Sequence, residues 1–399
     1  MTNAARPRVL FLAPVEPWCR ENGSSVIIAD LLEGLATVDQ ADQLSVFLRR
    51  PPPGYAPRPP AGFHGVTLGL HGLPRWASIV GAVARGSSPM RMRFANGRVA
   101  RDVLDTVRRR GFSPTVIHVE HLPLVDIGLT IARTFHCPLV YRAHNIESLL
   151  MGRRLGLPGA LGSFLFRTMD RAEAKAIEAC QLTLCISDAD LAWVRSNAPG
   201  ARAELFPCSL LLSRYDHLAS GQARTGPQIA FVGGLDWPPN EAGLRWFVVE
   251  VLPHILRAVP EARLAVLARG ATTRPWVSEN RAVEILPPEA DAPSLFAASR
   301  VSVAPLLQGG GVRIKIPESL AVGCPVVATP IGGEGLDLPG LTTTAEPVAF
   351  ADACVRHLVA GAGDHTARAQ RRAAVEAKHG AGVLARKLVA LWVGLNRAA

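Results

Sequence analysis

Short apolar runs alternate along the chain with stretches in which apolar residues return every three or four positions. RVLFLAPV (residues 8–15) predicts a buried strand, PVEPWCRENGSS a loop, and Val26 to Leu35 a helix. QLSVFLRR, TVIHVEHLPL, CPLVYRAHNIES and LTLCIS predict further strands, the last fed by a helix from residue 171. The proline-rich PPPGYAPRPPAG is a loop, too short to link domains. Residues 205–228 lose periodicity around Pro207, Gly221, Gly226 and Pro227, which predicts a boundary and two domains, 1–215 and 216–399. After it, QIAFVGG, RLAVLARG, AVEILPP and VSVAP predict a second set of strands. One last helix is predicted over about 366–397, with apolar spacing at Val375, Val383, Leu384, Leu388 and Leu391. The expected class is α/β, with doubly wound parallel sheets.

The most informative stretch is 301–336. The strand Val301 to Pro305 is followed by Gly309, Gly310 and Gly311, then by helical spacing through Ile314, Ile316, Leu320 and Ala321 that closes at Gly323. A second strand, Pro325 to Thr329, leads into Gly332, Gly333 and Gly335. Glycines let a backbone approach a ligand closely, and amides at a helix start favour an anion. Arg313 and Lys315 place two cations beside that position, and Glu318, one turn on, is placed to accept from a ribose diol. The plainer reading is a glycine turn beside a solvated basic face.

GGGVRIKIPESLAVGCPVVATPIGGEGL resembles the donor-binding segment of the retaining group-1 glycosyltransferases, glycosyltransferase family 4. It is most similar to a bacterial exopolysaccharide branch that writes the helix G-G-G-x-R-x-K-x-x-E. The resemblance implies a GT-B fold, two Rossmann-like domains facing a central cleft, with a sugar nucleotide held by the C-terminal domain and the final helix returning to the N-terminal one. In the family pattern Glu, seven residues, Glu, the second acid binds the donor ribose and falls at Glu318, whereas the first falls at Gly310 and is absent. The family's Gly-Arg and following Lys, which clamp the donor diphosphate, are also absent: Gly233 and Gly234 end the strand and Asn240 stands near the lysine position. Arg313 and Lys315 are expected to supply that charge from the opposite side of the pocket. No cofactor is implied beyond the donor substrate, and no acidic pair is placed to hold a metal against the phosphates.

Two strands of the first domain end in polar clusters, His118, Glu120 and His121 on one, His144, Asn145 and Glu147 on the other. Ligands of doubly wound sheets bind at that edge. The resemblance implies that His144 and either Glu120 or His121 face the reacting sugar and the acceptor. Gly23, with Ser24 and Ser25 at a helix start, matches a glycine loop of the family; the plainer reading is a serine N-cap.

Composition narrows the partners. The chain has 399 residues, 48% hydrophobic and 19% charged, which fits two globular domains. Seven scattered cysteines without CxxC spacing read as reduced thiols of a cytoplasmic protein. No run is long enough to span a membrane, and VLFLAPV, cut by Pro14, reads as a strand rather than a signal peptide. Of the net charge of +10, residues 1–215 carry +8. Arginine-rich, apolar-interleaved segments at 85–110 and 149–171 make an anionic membrane surface a candidate partner; the alternative is helices packed on the sheet with arginines in water. Nothing points to nucleic acid. The expectation is a metal-independent enzyme moving a hexose from a nucleoside-diphosphate sugar to a lipid-linked or oligosaccharide acceptor in polysaccharide synthesis, peripheral on the inner face of the plasma membrane. The alternatives are a degenerate GT-B scaffold that only binds sugar nucleotides and a GT-B sugar-nucleotide epimerase.

Overall fold

The structure, a computed structural model, describes residues 6–20, 22–50, 59, 63–94, 97–149, 159–219, 226–287, 290–309, 313–360 and 365–398. It divides into two compact units, one of Met1–Ser209 with Ala381–Ala399 and one of Leu210–Gly380. The chain therefore changes unit after Ser209, inside the stretch 205–228 that loses periodicity, and returns to the first unit at Ala381. Within that stretch Leu212, Tyr215 and Leu218 are buried in the second unit's core.

The first unit is built on a seven-stranded parallel sheet in the order β3-β2-β1-β4-β5-β6-β7. Its strands are β1 (Arg8–Val15), β2 (Asp42–Arg49), β3 (Gly65–Thr67), β4 (Val116–Glu120), β5 (Leu139–Ala143), β6 (Leu182–Cys185) and β7 (Ala203–Leu205). Side chains alternate across a strand, so each buried strand feeds two cores. Leu10, Leu12, Ile117, Val119 and Tyr141 pack on one face, against α3 (Gly97–Arg109) among other helices. Val9, Phe11, Val116, Val140 and Leu182 pack on the other, against α1 (Gly23–Val38) and the C-terminal helix. Between them in sequence runs α2 (Arg75–Arg85).

The segment 85–110 is settled by this packing. In α3, Val99, Val103, Leu104 and Val107 are in the core while Arg98, Arg101, Arg108 and Arg109 are exposed. Its apolar face is spent on the sheet and is not available to a membrane. Of the segment 149–171, residues 150–158 lie outside the described residues, as do the side chains of 159–165.

The second unit has six parallel strands in the order β10-β9-β8-β11-β12-β13. They are β8 (Gln228–Val232), β9 (Arg263–Leu267), β10 (Val283–Ile285), β11 (Val301–Ala304), β12 (Val326–Ala328) and β13 (Leu341–Thr343). The short α4 (Lys315–Ala321) buries Ile316 and Leu320 against this sheet.

The expected single last helix is two, α5 (His365–His379) and α6 (Ala381–Ala398), broken at Gly380. The break lies where the chain changes unit. Val375 of α5 is in the second unit's core, while Leu384, Leu388 and Trp392 of α6 are in the first's. Helices α1 and α6 meet at Gly34, where a Cβ would stand 2.6 Å from the Ala381 carbonyl oxygen. We predict that Gly34→Leu, which overpacks this crossing, lowers stability by about 1–3 kcal/mol in thermal or denaturant unfolding. Unchanged unfolding would mean that the two helices do not pack this closely.

Candidate functional site

In both sheets the strand order reverses once, between β1 and β4 in the first unit and between β8 and β11 in the second. Loops leaving neighbouring strands in opposite directions open a crevice at such a point, at the carboxyl ends of the strands. The sequence-derived candidates fall at these two places.

In the first unit the cluster begins with strand parity. His118 and Glu120 alternate with Val119 and so share the face of Phe11, which pairs in register with His118. Arg142 lies opposite Glu120 on β5. All three are fully buried. The His118 ring stacks on Phe11 at 4.7 Å and meets Trp392 of α6 edge-on at 5.6 Å. Its Nε2 lies 3.2 Å from Glu120 Oε1, and His144 Nε2 makes a short bond to Oε2. Arg142 Nη1 stands 3.6 Å from Glu120, and its Nη2 donates to the Pro207 carbonyl at 3.2 Å.

Burial alone would raise the Glu120 carboxyl, but the Arg142 charge and the two histidine hydrogen bonds outweigh it and hold it well below the usual carboxylate range. Burial lowers His118, His144 and, most strongly, His121, whose neighbour His144 adds to the effect. With neutral imidazoles, the proton arrangement that makes every contact a hydrogen bond has His144 Nε2–H donating to Glu120, Ser24 Oγ donating to His144 Nδ1 at 3.3 Å, and His121 Nε2–H donating to Ser24 Oγ at 2.6 Å. In that arrangement His121 keeps a lone pair on Nδ1. The two imidazoles stack at 3.9 Å.

Of the two candidates, Glu120 is interior and bonded to His144, whereas His121 is only partly buried. His121 has φ 73°, a left-handed conformation that costs a non-glycine residue about 1–3 kcal/mol and turns its side chain away from the strand's alternation. Gly23 opens α1, but the cap is not a serine: Asn22 accepts from the Ser25 amide at 3.0 Å, and Ser25 Oγ accepts from the Asn22 amide. Ser24 is thus released from capping to bridge the histidines.

In the second unit, Gly233 follows β8 with φ 154°, and a Cβ there would stand 2.8 Å from Asn240 Nδ2. At Gly234 it would meet Asp236 at 2.3 Å, with an Arg269 nitrogen at 3.3 Å. Lys315 begins α4 and sends its Nζ to the Val232 carbonyl oxygen at 3.1 Å and to Asn240 Oδ1 at 3.5 Å, 5.1 Å from the Phe231 ring centroid. Burial, helped by the charge of Arg313, pushes this amine down to about 7. No carboxylate accepts from it among the described residues. Arg313 reaches the Ile331 carbonyl at 3.5 Å, and a Cβ at Gly309 (φ 128°) would meet the same guanidinium at 3.3 Å. Glu318 is buried and accepts the Tyr215 hydroxyl at 3.1 Å. Gly310 and Gly311 lie outside the described residues.

Two participants are missed by reading sequence: Ser24 reads as part of a serine cap, and Tyr215 falls in the stretch that reads as the boundary. Only Ser24 had a signal, since Asn22 three residues before Ser25 is itself a capping pattern. The second glycine cluster is partly packing: at Gly332 a Cβ would stand 2.1 Å from the Ala304 carbonyl oxygen. Among the described residues no group of three His, Cys, Asp or Glu is disposed to hold a metal ion.

Comparison with known proteins agrees with the sheet topology. The structure superposes on a sucrose-phosphate synthase of Thermosynechococcus elongatus over 98% of this chain and all of that one, with a TM-score of 0.70 at 15% identity. The fold is GT-B. Anabaena HepE, solved in complex with UDP and glucose, matches over 98% of this chain and 100% of that one (TM-score 0.61, 15% identity). A trehalose 6-phosphate synthase of Burkholderia multivorans covers 98% of this chain and 99% of that one (TM-score 0.66, 14% identity). Residues 226–360, all in the second unit, match the family model described as Glycosyl transferases group 1. An uncharacterised 44.6 kDa protein in the cps region of Klebsiella pneumoniae is 25% identical over 116 residues, 27% of this chain and 30% of that protein.

The buried histidines give a pH dependence with a definite sign. Their folded values lie below the ordinary 6.5, so below that pH the unfolded chain binds more protons than the fold. Glu173, pushed up to about 7 by burial, acts in the opposite direction, one group against three. The histidine contribution is therefore expected to fall as pH drops from 6.5 toward about 5, whereas above pH 7 the depressed Lys315 makes stability rise further with pH. Melting temperatures across that range test this; a flat profile would mean that the histidines are charged in the fold.

Proposed function

We propose that this protein is a retaining glycosyltransferase that moves a hexose from a nucleoside-diphosphate sugar to a lipid-linked or oligosaccharide acceptor, in the assembly of a polysaccharide. The observation that carries the reading is Lys315. Its ammonium group stands at the end of β8, bonded to a carbonyl and to Asn240, within a segment that matches group 1 glycosyltransferases. Asn240 is near the position that the family pattern gives to lysine, so the charge missing there arrives from α4. The GT-B fold and the UDP and glucose complex of a fold neighbour support a sugar-nucleotide donor.

In this reading Lys315 and Arg313 neutralise the diphosphate as it leaves, and no metal takes part. Preorganised charge of this kind is commonly the largest catalytic contribution. Glu318, which accepts the Tyr215 hydroxyl, is the carboxylate that meets the donor ribose. The bond from the anomeric carbon to the diphosphate breaks as the bond to the acceptor oxygen forms on the same face, and the acceptor's hydroxyl proton passes to the departing diphosphate oxygen. His121 orients the acceptor hydroxyl through the lone pair on Nδ1, and Ser24, His144 and Glu120 hold that tautomer in place.

Two variants test the assignment. Lys315→Met is expected to weaken binding of the preferred donor, chosen from UDP-, GDP- and dTDP-sugars by thermal shift, by about 1–3 kcal/mol. Unchanged affinity would remove the lysine from the donor site. Ser24→Ala is expected to lower kcat roughly tenfold while leaving donor affinity intact, because it frees the His121 ring without touching the donor unit. An unchanged kcat would show that the hydrogen-bonded chain has no part in the reaction.

A further inference from the structure

Four of the nine large hydrophobic side chains exposed among the described residues lie between Leu73 and Val80. Trp76 is 70% exposed, Val80 61%, Ile79 45% and Leu73 36%. In α2 the first three stand at i, i+3 and i+4, one above another on one face of the helix. The opposite face is packed: Ser78 and Ala82 are buried, and Gly81 lies against Met92. The outer stripe is thus the side the fold leaves in water, unlike the apolar face of α3.

Charge along the sequence that flanks the stripe is one-sided, although one of its arginines, Arg91, is paired with Asp126 from outside it. From Gln43 to Arg101 the sequence holds no Asp or Glu, and it carries nine arginines: 49, 50, 58, 75, 85, 91, 93, 98 and 101. Arg50, Arg85, Arg98 and Arg101 are exposed. We infer that α2 is a docking helix for an anionic lipid bilayer, lying in the interface with Trp76, Ile79 and Val80 in the acyl boundary and with Arg85 of its last turn and the other exposed arginines of this stretch drawn to the headgroups. An exposed tryptophan beside aliphatic residues, bordered by arginines, is the composition of helices that lie in that plane. At 11 residues α2 is too short to cross a hydrocarbon core of about 30 Å, and no described helix is long and apolar enough to do so. A second copy of this chain fits the stripe poorly, because symmetric pairing would bring the same arginines face to face. The inference does not depend on what the donor site binds.

The test is co-sedimentation of the full chain with vesicles of phosphatidylcholine alone and of phosphatidylcholine with phosphatidylglycerol, at low and high salt. The chain is expected to sediment with the anionic vesicles, weakly with the neutral ones, and less at high salt. The triple variant Trp76→Ser, Ile79→Ser, Val80→Ser is expected to keep its melting temperature and to lose roughly tenfold or more of its partitioning. Wild-type partitioning in the triple variant would overturn the assignment, as would failure of the unaltered chain to bind either vesicle. Sedimentation that shows a dimer lost in the triple variant, without vesicle binding, would overturn it in favour of self-association. Donor-induced thermal shifts measured on the same proteins keep this outcome separate from that of the transferase reading.

Discussion

An ammonium group withdrawn from water and paired only with neutral oxygens is an unfinished electrostatic arrangement. Lys315 is in that position: a carbonyl and an amide oxygen accept from it, Arg313 adds repulsion, and the start of a helix is the wrong end for a cation. The fold tolerates it because β8, β11 and α4 converge there. Gly233 lets Asn240 close against the backbone, and Gly243 lets its helix lie on the Pro305 carbonyl, where a Cβ would stand 2.3 Å away. An anion placed against this lysine would restore its charge and satisfy it. In the proposed function that anion is the donor diphosphate.

The first unit poses the opposite problem and solves it internally. Glu120 is a buried anion, but Arg142, His118 and His144 satisfy it within the unit. Its effect is then exported. Each hydrogen bond fixes the direction of the next, from Glu120 through His144 and Ser24 to His121, so that a buried charge determines which nitrogen of a partly exposed ring carries a lone pair. Removing a middle member should disturb the exposed ring more than the fold.

Much of this was legible in sequence because it follows from strand periodicity. The apolar runs located the long strands, and the polar residues at their ends located both crevices. Five strands have only three residues: β10 and β12 lie in apolar runs long enough to read, whereas β3, β7 and β13 do not. Parity would have placed His118 and Glu120 on one face with Phe11, but not the Trp392 that covers them, which comes from the other end of the chain. The arginines of 85–110 have amphipathic spacing whether a helix meets a sheet or a membrane, and only packing decides. For the same reason α2, whose pattern is less regular, was overlooked although its apolar face is the exposed one. The break at Gly380 was also hidden, since glycine between two helical patterns reads equally as tolerated or terminal.

The central claim is that Lys315 is held short of its charge until a diphosphate arrives. Calorimetric titration of the nucleoside diphosphate that binds, at about pH 8 in buffers of differing ionisation enthalpy, counts the protons taken up on binding. At that pH the ligand is already fully ionised, while the lysine, at about 7, is mostly neutral. The account predicts uptake of close to one proton, absent in Lys315→Met. Binding without proton uptake, or with the same uptake in the variant, would contradict it.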